Sequence, residues 1–293
     1  MKVAFIVNPS AGRGRAGRLW KAIEPEARAL GHSLSVYYTT GPGDATRLAA
    51  EAAGDGAERV VALGGDGTLY ETVNGLVGTA ASFGVVPGGT GNDFCKPLRI
   101  PKDPVQALAV ALGSQIKTID LGRAWDRYFL NSAGIGFDAA VCKETNALPK
   151  YFGGTVPYLF GVTKVLLRFR PLPVTIDVDG RRVTTPVTLI AVANGQYYGG
   201  GMKIAPDAQL DDGLLDVVVA TDLSTPELLA AVPRLYSGTH LKLPKVSATR
   251  GRRVTVTSEH PLPVHLDGEV AGTLPVTLEI LPGALRVAVP IGV

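Results

Sequence analysis

The chain has 293 residues, of which 46% are hydrophobic and 19% are charged. This composition is sufficient for one large or two moderate domains and excludes a disordered chain. The net charge of +3 is far below that of a typical nucleic-acid-binding domain, so we expect no nucleic-acid partner. Two cysteines, Cys95 and Cys142, are too few for a disulfide framework and predict a reduced, cytoplasmic protein.

No stretch of the sequence has the pattern of a signal peptide or a membrane span. The N-terminus runs directly into a strand-like segment, and the longest uncharged run, 72–92, contains six glycines and a proline. A spanning helix needs about 20 mostly apolar residues, which this run does not provide. Any membrane association is therefore expected to be peripheral.

The first part of the chain alternates predicted strands with predicted helices, which favours a Rossmann-like α/β domain with a parallel sheet. Asp44 is a plausible N-cap for its helix. The predicted strands are Val3–Val7, Ser33–Tyr38, Arg59–Leu63 and Phe83–Val86, and the predicted helices are Leu19–Leu30, Asp44–Ala53, Leu69–Leu76 and Pro104–Leu112.

Beyond Lys117 the segments become short and β-rich, which favours an antiparallel β-sandwich. Helices are expected at Tyr158–Phe169 and Pro226–Leu235. We assign residues 1–122 to the α/β domain and 123–283 to the sandwich, with the tail at 284–293 returning to the first domain. The predicted strands are Lys117–Leu121, Tyr128–Ala133, Val174–Val178, Val187–Val192, Leu214–Val219, Arg253–Thr257, Val264–Leu266, Val276–Ile280 and Leu285–Val289.

A glycine-rich loop after the first predicted strand matches neither of the common nucleotide motifs. Asn8–Gly17 contains G-x-G-x-x-G, but a dinucleotide site needs an acidic residue after the second strand, where the chain reads Tyr-Thr-Thr at 38–40. The loop ends Gly-Arg-Leu at 17–19 and lacks the Lys-Ser/Thr pair of a P-loop. A phosphate site and an ordinary strand–helix turn therefore both remain open here.

The second loop, Gly64–Thr68, reads Gly-Gly-Asp-Gly-Thr directly after a predicted strand. Successive glycines let main-chain N–H groups approach phosphate oxygens, and the N-terminus of the following helix adds positive potential. Asp66 could face a metal ion or a reacting hydroxyl, or it could simply cap the helix. This pattern is much more specific than a single G-x-G-x-x-G and favours a phosphate site.

A third loop, Pro87–Phe94, again follows a strand and carries Thr90, Asn92 and Asp93. Thr90 can donate a hydrogen bond to a phosphate, whereas a plain glycine-rich turn is the alternative. Because the carboxyl ends of parallel strands meet at one edge of the sheet, three such loops suit a triphosphate ligand.

Together these motifs resemble the diacylglycerol, sphingosine and ceramide lipid kinases, most closely the soluble bacterial diacylglycerol kinase-like enzymes. The resemblance runs essentially end to end and also includes Asn131–Asp138, Pro206–Asp216 and Leu266–Glu269. It implies an N-terminal α/β domain that binds ATP and a C-terminal β-sandwich. The implied reaction is transfer of the γ-phosphate of ATP to the hydroxyl of diacylglycerol or a related lipid.

The resemblance also assigns roles to individual residues. Glu269 is the implied general base, and Asp66 is a second catalytic candidate. Of two neighbouring threonines, Thr39 fits the family spacing better than Thr40. The implied nucleotide contacts are Asn8, Pro9, Ser10, Ala11, Gly12, Thr39, Thr40, Gly64, Gly65, Asp66, Gly67, Thr68, Leu69, Tyr70, Gly89 and Thr90.

A Mg²⁺ site is implied in the segment 209–214. The ligands would be the Asp212 carboxylate and the main-chain carbonyls of Gln209 and Leu214. Hard oxygen ligands suit Mg²⁺, and the sequence has no His/Cys cluster for a transition metal. The resemblance further implies that Asp66 and two supporting carboxylates, Asp93 and Asp120, link metal and nucleotide through water.

The same acidic residues have plainer interpretations when the resemblance is set aside. The acidic pair at 211–212 could belong to a solvated hairpin loop, and Asp-Gly-Glu at 267–269 could be an ordinary hairpin turn. For Glu269 the resemblance favours a general base over an ordinary turn residue. A partly dry, carboxylate-rich cleft would raise the pKa of Glu269. We expect the four histidines to be surface or loop residues; they are His32, His240, His260 and His265. Among them, His265 is the one that could border the cleft, because it lies two residues before Asp267.

The segment Tyr151–Leu172 is apolar, with Lys164, Arg168 and Arg170 interleaved, and no acidic residue occurs between 145 and 176. A basic amphipathic helix can lie on an anionic membrane, with its apolar face in the interface. Packing on the sandwich, with the cations in water, is equally consistent with the pattern. The membrane-bound helix implies two partners: a lipid substrate at the membrane surface, and anionic lipid headgroups.

Two other functions remain as alternatives. NAD kinases and phosphofructokinases also carry Gly-Gly-Asp-Gly, so a soluble kinase with a non-lipid acceptor is one of them. An NAD kinase would need Asn-Glu after the third loop, where the chain reads Asn-Asp-Phe at 92–94. A non-enzymatic binder is disfavoured because every candidate carboxylate is present. The sequence does not name the lipid acceptor, and edge strands of the sandwich could pair into a homodimer.

Overall fold

The structure is a computed structural model that describes residues 1–146, 165 and 169–293. The described residues form two compact units, Met1–Leu121 with Pro282–Val293, and Gly122–Leu281. Two strands, β5 (Ile116–Ala124) and β15 (Val276–Ala288), carry the chain from one unit to the other.

The first unit contains, in chain order, β1 (Lys2–Val7), α1 (Ala11–Ala29), β2 (Ser33–Tyr38), α2 (Asp44–Gly54), β3 (Arg59–Gly64), α3 (Asp66–Leu76), β4 (Ser82–Pro87) and α4 (Pro104–Ala111). Its strands pair in parallel, in the order β15–β4–β3–β1–β2. Every residue of β3 and β4 is buried, as expected where helices cover both faces of a parallel sheet.

The strand order of this sheet reverses beside β1. The chain runs from β1 outward to β2 and then crosses back to β3, on the other side of β1. Because such crossovers are right-handed, α1 and α2 belong to opposite faces, and α2 accordingly packs on α3 while α1 packs on α4. The loops after β1 and β3 therefore lie at the switch point, where open α/β sheets bind their ligands.

The second unit contains β6 (Arg127–Phe129), β7 (Ser132–Gly136), α5 (Phe137–Asn146), β8 (Leu172–Val178), β9 (Arg181–Ala193), β10 (Leu215–Thr221), α6 (Thr225–Ser237), a 3₁₀ helix (His240–Lys242), β11 (Val246–Gly251), β12 (Arg253–Thr257), β13 (Pro263–Leu266) and β14 (Glu269–Thr273). The strands pair antiparallel in the order β14–β13–β7–β9–β8–β12–β15, and β10 joins β9 to β11. Alternate residues of β9, namely Leu189, Ala191 and Ala193, enter one apolar cluster. The unit is the antiparallel β-sandwich that the sequence predicts.

Some predicted elements differ from the structure. Tyr128–Ala133 is two strands, β6 and β7, and the two final predicted strands are a single one, β15. The pair Pro282-Gly283 is typical of a turn, but the Gly283 N–H donates to the Asp120 carboxylate (2.8 Å) and the strand continues. The sequence did not predict α5, β11 or β14. The helix expected at Tyr158–Phe169 lies outside the described residues, apart from positions 165 and 169.

Asp44 does not cap α2, contrary to the prediction. Gly43 is the N-cap, and the Asp44 carboxylate accepts hydrogen bonds from the Thr40 hydroxyl (2.6 Å), Thr40 N (2.7 Å) and Gly41 N (3.1 Å). The Thr40 hydroxyl first of all holds the pKa of Asp44 well below its usual range. The carboxylate therefore stabilises the loop after β2.

Two of the four histidines are buried, which corrects the prediction for His240, whereas His265 was the one set apart from the others. His240 is 3% exposed and His265 is 2% exposed, whereas His260 is exposed and His32 is half-buried. The His240 Nε2 lies 3.0 Å from the Ile204 carbonyl oxygen, and burial lowers the pKa of His240. Among the helices of the described residues, none is long and apolar enough to cross a membrane.

Candidate active site

The three glycine loops of the first unit touch through their main chains. Gly12 is left-handed (φ +59°), and a Cβ there would lie 2.3 Å from the Gly88 carbonyl oxygen. A Cβ on Gly88 would lie 2.7 Å from the Ala16 Cβ, and one on Gly89 would lie 2.5 Å from the Gly65 Cα. The loops can approach this closely only because these positions lack side chains.

Asn8 joins the first loop to the second. Its Nδ2 donates to the Thr68 hydroxyl oxygen (3.0 Å), and its Oδ1 accepts from Ser10 N (3.1 Å). A Cβ on Gly64 would lie 2.4 Å from the same Thr68 oxygen, so this position also requires glycine. The ends of β1 and β3 are thereby held together at the switch point of the sheet.

Asp66 joins the second loop to the third. Its two carboxylate oxygens accept hydrogen bonds from Asn92 N (2.8 Å) and Asp93 N (2.7 Å). The N-cap of α3 is Gly65, without a side-chain cap bond, so Asp66 is not the cap that one interpretation of the sequence offered. Burial first of all, and then the nearby Asp93, raise the pKa of Asp66, whereas the two N–H groups oppose that shift.

The third loop is held by its own polar side chains. Asn92 is left-handed (φ +48°), and its amide exchanges hydrogen bonds with the main chain of Gly89 (3.1 and 3.2 Å). The Asp93 side chain is 5% exposed and pairs with Lys96 Nζ at 2.5 Å. Lys96 was not predicted from the sequence, although its i, i+3 spacing from the acidic candidate Asp93 was a usable signal. This lysine places a cation next to both Asp66 and Asp93.

The remaining predicted nucleotide contacts differ in how they are placed. Thr39 is 8% exposed, and its N–H donates to the Val7 carbonyl (2.9 Å). Because the Thr40 hydroxyl is bonded to Asp44, Thr39 is the better candidate of the two. Ser10 and Thr90 are exposed; Pro9, Ala11, Gly65 and Gly67 are half-buried; Gly64, Thr68, Leu69 and Tyr70 are buried.

The Asp120 side chain has a structural partner in the first unit. Asp120 is 3% exposed, and its carboxylate accepts the Gly283 N–H. This bond fastens β5 to β15. The role of Asp120 in linking metal and nucleotide through water therefore stays a prediction.

In the second unit the segment 209–214 forms an irregular turn before β10. The Asp212 carboxylate accepts from Leu214 N (3.0 Å), and Gly213 is left-handed (φ +71°). The Asp212 Oδ2 lies 3.7 Å from an Arg250 nitrogen. Gln209 is exposed and Leu214 is half-buried.

Arg250 holds this turn against β11. Its Nε donates to the Asp216 carboxylate (2.9 Å) and its Nη2 donates to the Asp207 carbonyl (2.8 Å). Burial raises the pKa of Asp216, and the Arg250 contact opposes that shift. Asp216 is therefore the closer carboxylate partner of Arg250, and Asp212 is the looser one.

The turn can be tested for its fit to a magnesium ion. Within residues 1–146, 165 and 169–293, no group of three or more His, Cys, Asp and Glu side chains could hold a metal. A cation would therefore depend on the Asp212 carboxylate together with main-chain oxygens. Such an all-oxygen donor set suits Mg²⁺, and the 3.7 Å separation leaves Asp212 only loosely held by Arg250.

Glu269 follows a tight turn between β13 and β14. Asp267 (φ +48°) and Gly268 (φ +89°) are both left-handed, as Asp-Gly hairpins require. The Asp267 carboxylate accepts the N–H groups of Leu130–Ser132 at 2.7 to 3.0 Å. Glu269 itself is exposed.

Two family models together match nearly the whole chain. The diacylglycerol kinase catalytic domain matches residues 2–124, and the YegS C-terminal NAD kinase beta sandwich-like domain matches residues 131–289. The chain belongs to the diacylglycerol kinase family. It is therefore a kinase, with the α/β domain and the β-sandwich of that family.

Members of the family align with the chain along most of its length. A diacylglycerol kinase of Mycobacterium tuberculosis is 33% identical over 99% of this chain and 95% of its own length. One of Bacillus subtilis is 31% identical over 94% and 91%. A crystal structure of a diacylglycerol kinase from Bacillus anthracis superposes with a TM-score of 0.75 at 26% identity, covering 100% of this chain and 98% of that one.

We expect Gly89→Ala to disturb the contact between the second and third loops. The new Cβ would lie 2.5 Å from the Gly65 Cα, and overpacking of this kind costs about 1–3 kcal/mol. Calorimetric titration with ATP should show binding weakened about tenfold or more. Gly54→Ala is the control, because nothing lies within 4 Å of its Cβ position. Wild-type ATP affinity in Gly89→Ala would contradict the importance of this contact.

We expect Asp66→Asn to lower both the thermal unfolding midpoint and the affinity for ATP. An amide offers a single oxygen to two N–H groups, and a buried donor without a partner costs about 1–3 kcal/mol. The exposed Asp55 provides the control variant Asp55→Asn. A fall in kcat with unchanged midpoint and unchanged ATP affinity would instead place Asp66 in the transfer step alone.

Proposed function

We propose that this chain transfers the γ-phosphoryl group of ATP to the hydroxyl of diacylglycerol or a closely related lipid. The observation that carries the proposal is the contact between the three glycine loops at the switch point of the parallel sheet. Phosphoryl transfer depends on positioning and charge neutralisation more than on covalent help from the protein. Membership of the diacylglycerol kinase family supports a lipid as the acceptor.

The first unit would hold the triphosphate. Main-chain N–H groups of glycine loops and the N-terminus of α3 favour phosphate oxygens. The first loop would contribute Asn8 and Gly12, the second loop is Gly64–Thr68, and the third loop would contribute Thr90. Lys96, paired with Asp93, adds positive charge beside them. Asp66 accepts hydrogen bonds from the third loop, and Asp93 is held by its pair with Lys96. The loops that would receive the phosphates are therefore in position before a ligand arrives.

The turn before β10 would hold a magnesium ion. The ligands would be the Asp212 carboxylate and the main-chain oxygens of Gln209 and Leu214. When bound, Mg²⁺ neutralises charge on phosphoryl oxygens. The hydrogen bond from Leu214 N to the Asp212 carboxylate restrains that side chain within the turn (3.0 Å).

Glu269 would take the proton from the lipid hydroxyl. A positioned general base contributes about 10²–10⁴-fold to a rate, provided that it stays within reach of the proton. The turn before it is anchored by the three N–H groups that Asp267 accepts. Glu269 is exposed in this structure and thus lies where an acceptor from solvent or a membrane surface can arrive.

A lipid acceptor implies work at a membrane surface. We infer peripheral association from the cytoplasmic side, with anionic headgroups attracted to the basic residues of Tyr151–Leu172. Most of that segment lies outside the described residues, so its sequence alone supports this step. A soluble acceptor remains the second candidate, because the family model that matches the sandwich is described as NAD kinase-like.

The acceptor is tested with radiolabelled ATP, Mg²⁺ and a panel of diacylglycerol, monoacylglycerol, sphingosine and NAD, with lipids in mixed micelles. We expect label in diacylglycerol or another lipid, and none in NAD.

Glu269→Gln should lower kcat about 10²–10⁴-fold without changing the KM for ATP, because it removes proton acceptance alone. The exposed Glu259 supplies the control Glu259→Gln. Labelled NAD, or full turnover in Glu269→Gln, would refute the respective part of the proposal.

The metal site is tested by comparing two adjacent carboxylates. Asp212→Asn should raise the Mg²⁺ concentration for half-maximal activity about tenfold or more, because it removes the charged ligand. Asp211→Asn is the matched control, since Asp211 is the neighbouring exposed carboxylate and is not an assigned ligand. Equal Mg²⁺ dependence of the two variants and the wild type would remove the site from this turn.

A further inference from the structure

The turn that carries Glu269 has a second attachment, through the buried His265 on β13. His265 Nδ1 lies 3.2 Å from Gly268 N, and its Nε2 lies 3.2 Å from the Asp138 carboxylate. A main-chain N–H can only donate, so Nδ1 is the acceptor and carries no hydrogen in this arrangement. Nε2 then carries the hydrogen and donates it to Asp138. The contacts therefore assign one tautomer to the ring.

Asp138 is held in its own right. It is 9% exposed in the first turn of α5, and its Oδ1 accepts from Ala139 N (2.7 Å). Gly134 on β7 lies opposite His265 in the sheet. A Cβ on Gly134 would lie 2.2 Å from both the Asp138 Oδ2 and the His265 Nε2. Glycine at 134 thus makes the space in which the two side chains meet.

The hairpin does not need this pair in order to form. Asp267 and Gly268 already supply the two left-handed residues that such a turn requires. Burial of the His265 imidazole and the Asp138 carboxylate costs free energy unless both groups are paired, as they are here. The register of β13 against β14 also shifts between Val264 and His265, and such bulges commonly redirect a side chain beside an active site.

We propose that Asp138 and His265 are positioning residues that fix the turn preceding Glu269, and so fix the carboxylate for the transfer step. The connection runs from α5 through Asp138 to His265, and from the ring to the Gly268 N–H, one residue before Glu269. This inference rests on the proposed function, in which Glu269 is the base. In this role neither residue needs to contact the substrate. Their effect is on the placement of the carboxylate, where a displacement of about 1 Å can cost about 10²-fold in rate.

The two contacts of the ring can be separated by substitution. The Asn side-chain oxygen approximates Nδ1 and can accept from Gly268 N, whereas the Gln amide nitrogen approximates Nε2 and can donate to Asp138. We expect His265→Asn, which loses the contact with Asp138, to lower kcat about threefold, and His265→Gln, which loses the contact with Gly268, to lower it about tenfold or more. The KM for ATP should stay unchanged in both. His260→Gln, on an exposed histidine, is the control.

A double variant separates positioning from a general loss of stability. If His265 acts through Glu269, then His265→Gln should lower kcat no further in a Glu269→Gln background. A further tenfold loss in that background, or equal kcat in His265→Asn, His265→Gln and wild type, would overturn the inference while leaving the proposed function intact. An absence of lipid phosphorylation by the wild-type chain would reject the proposed function and this inference together.

Discussion

The main-chain contact between glycine loops is the constraint on which the first unit depends. Gly12 meets the carbonyl of Gly88, and Gly89 meets the Cα of Gly65, at distances that leave no room for a Cβ on Gly12 or Gly89. The parallel sheet brings the loops to one edge, but only missing side chains let them share one small region. A phosphate group could then be approached by main-chain N–H groups from several strands at once, which a single loop cannot provide.

Carboxylates accept main-chain N–H groups at three points that join separate segments of the described chain. Asp66 accepts from the third loop, Asp120 from β15, and Asp267 from the start of β7. Each bond is charge-assisted and joins segments that are distant in sequence. The family resemblance assigns catalytic or metal-linking roles to Asp66 and Asp120. The same side chains that support the geometry can therefore also carry the chemistry, and substitutions must be interpreted with both effects in mind.

Local patterns were enough to predict the alternation of the first unit, the sandwich class of the second and the glycine loops. Contacts across long sequence separations were not predictable, because no local rule pairs Asp66 with Asp93 or Asp138 with His265. Asp44 was wrongly predicted as a cap, because its carboxylate instead accepts hydrogen bonds from the Thr40 N–H, the Thr40 hydroxyl and the Gly41 N–H of the preceding loop. Pro282-Gly283 is locally typical of a turn, and only the partner at Asp120 explains the continuous strand.

Hydrogen exchange of the main-chain amides, with and without ATP, tests the central claim most directly. If the glycine loops jointly receive the phosphates, amides in Asn8–Gly12, Gly64–Thr68 and Gly88–Asp93 should all exchange more slowly when ATP is added. The exchange of the exposed amides at 54–56, at the end of α2, should be unaffected. Protection confined to one of these loops, or found only elsewhere in the chain, would contradict the account.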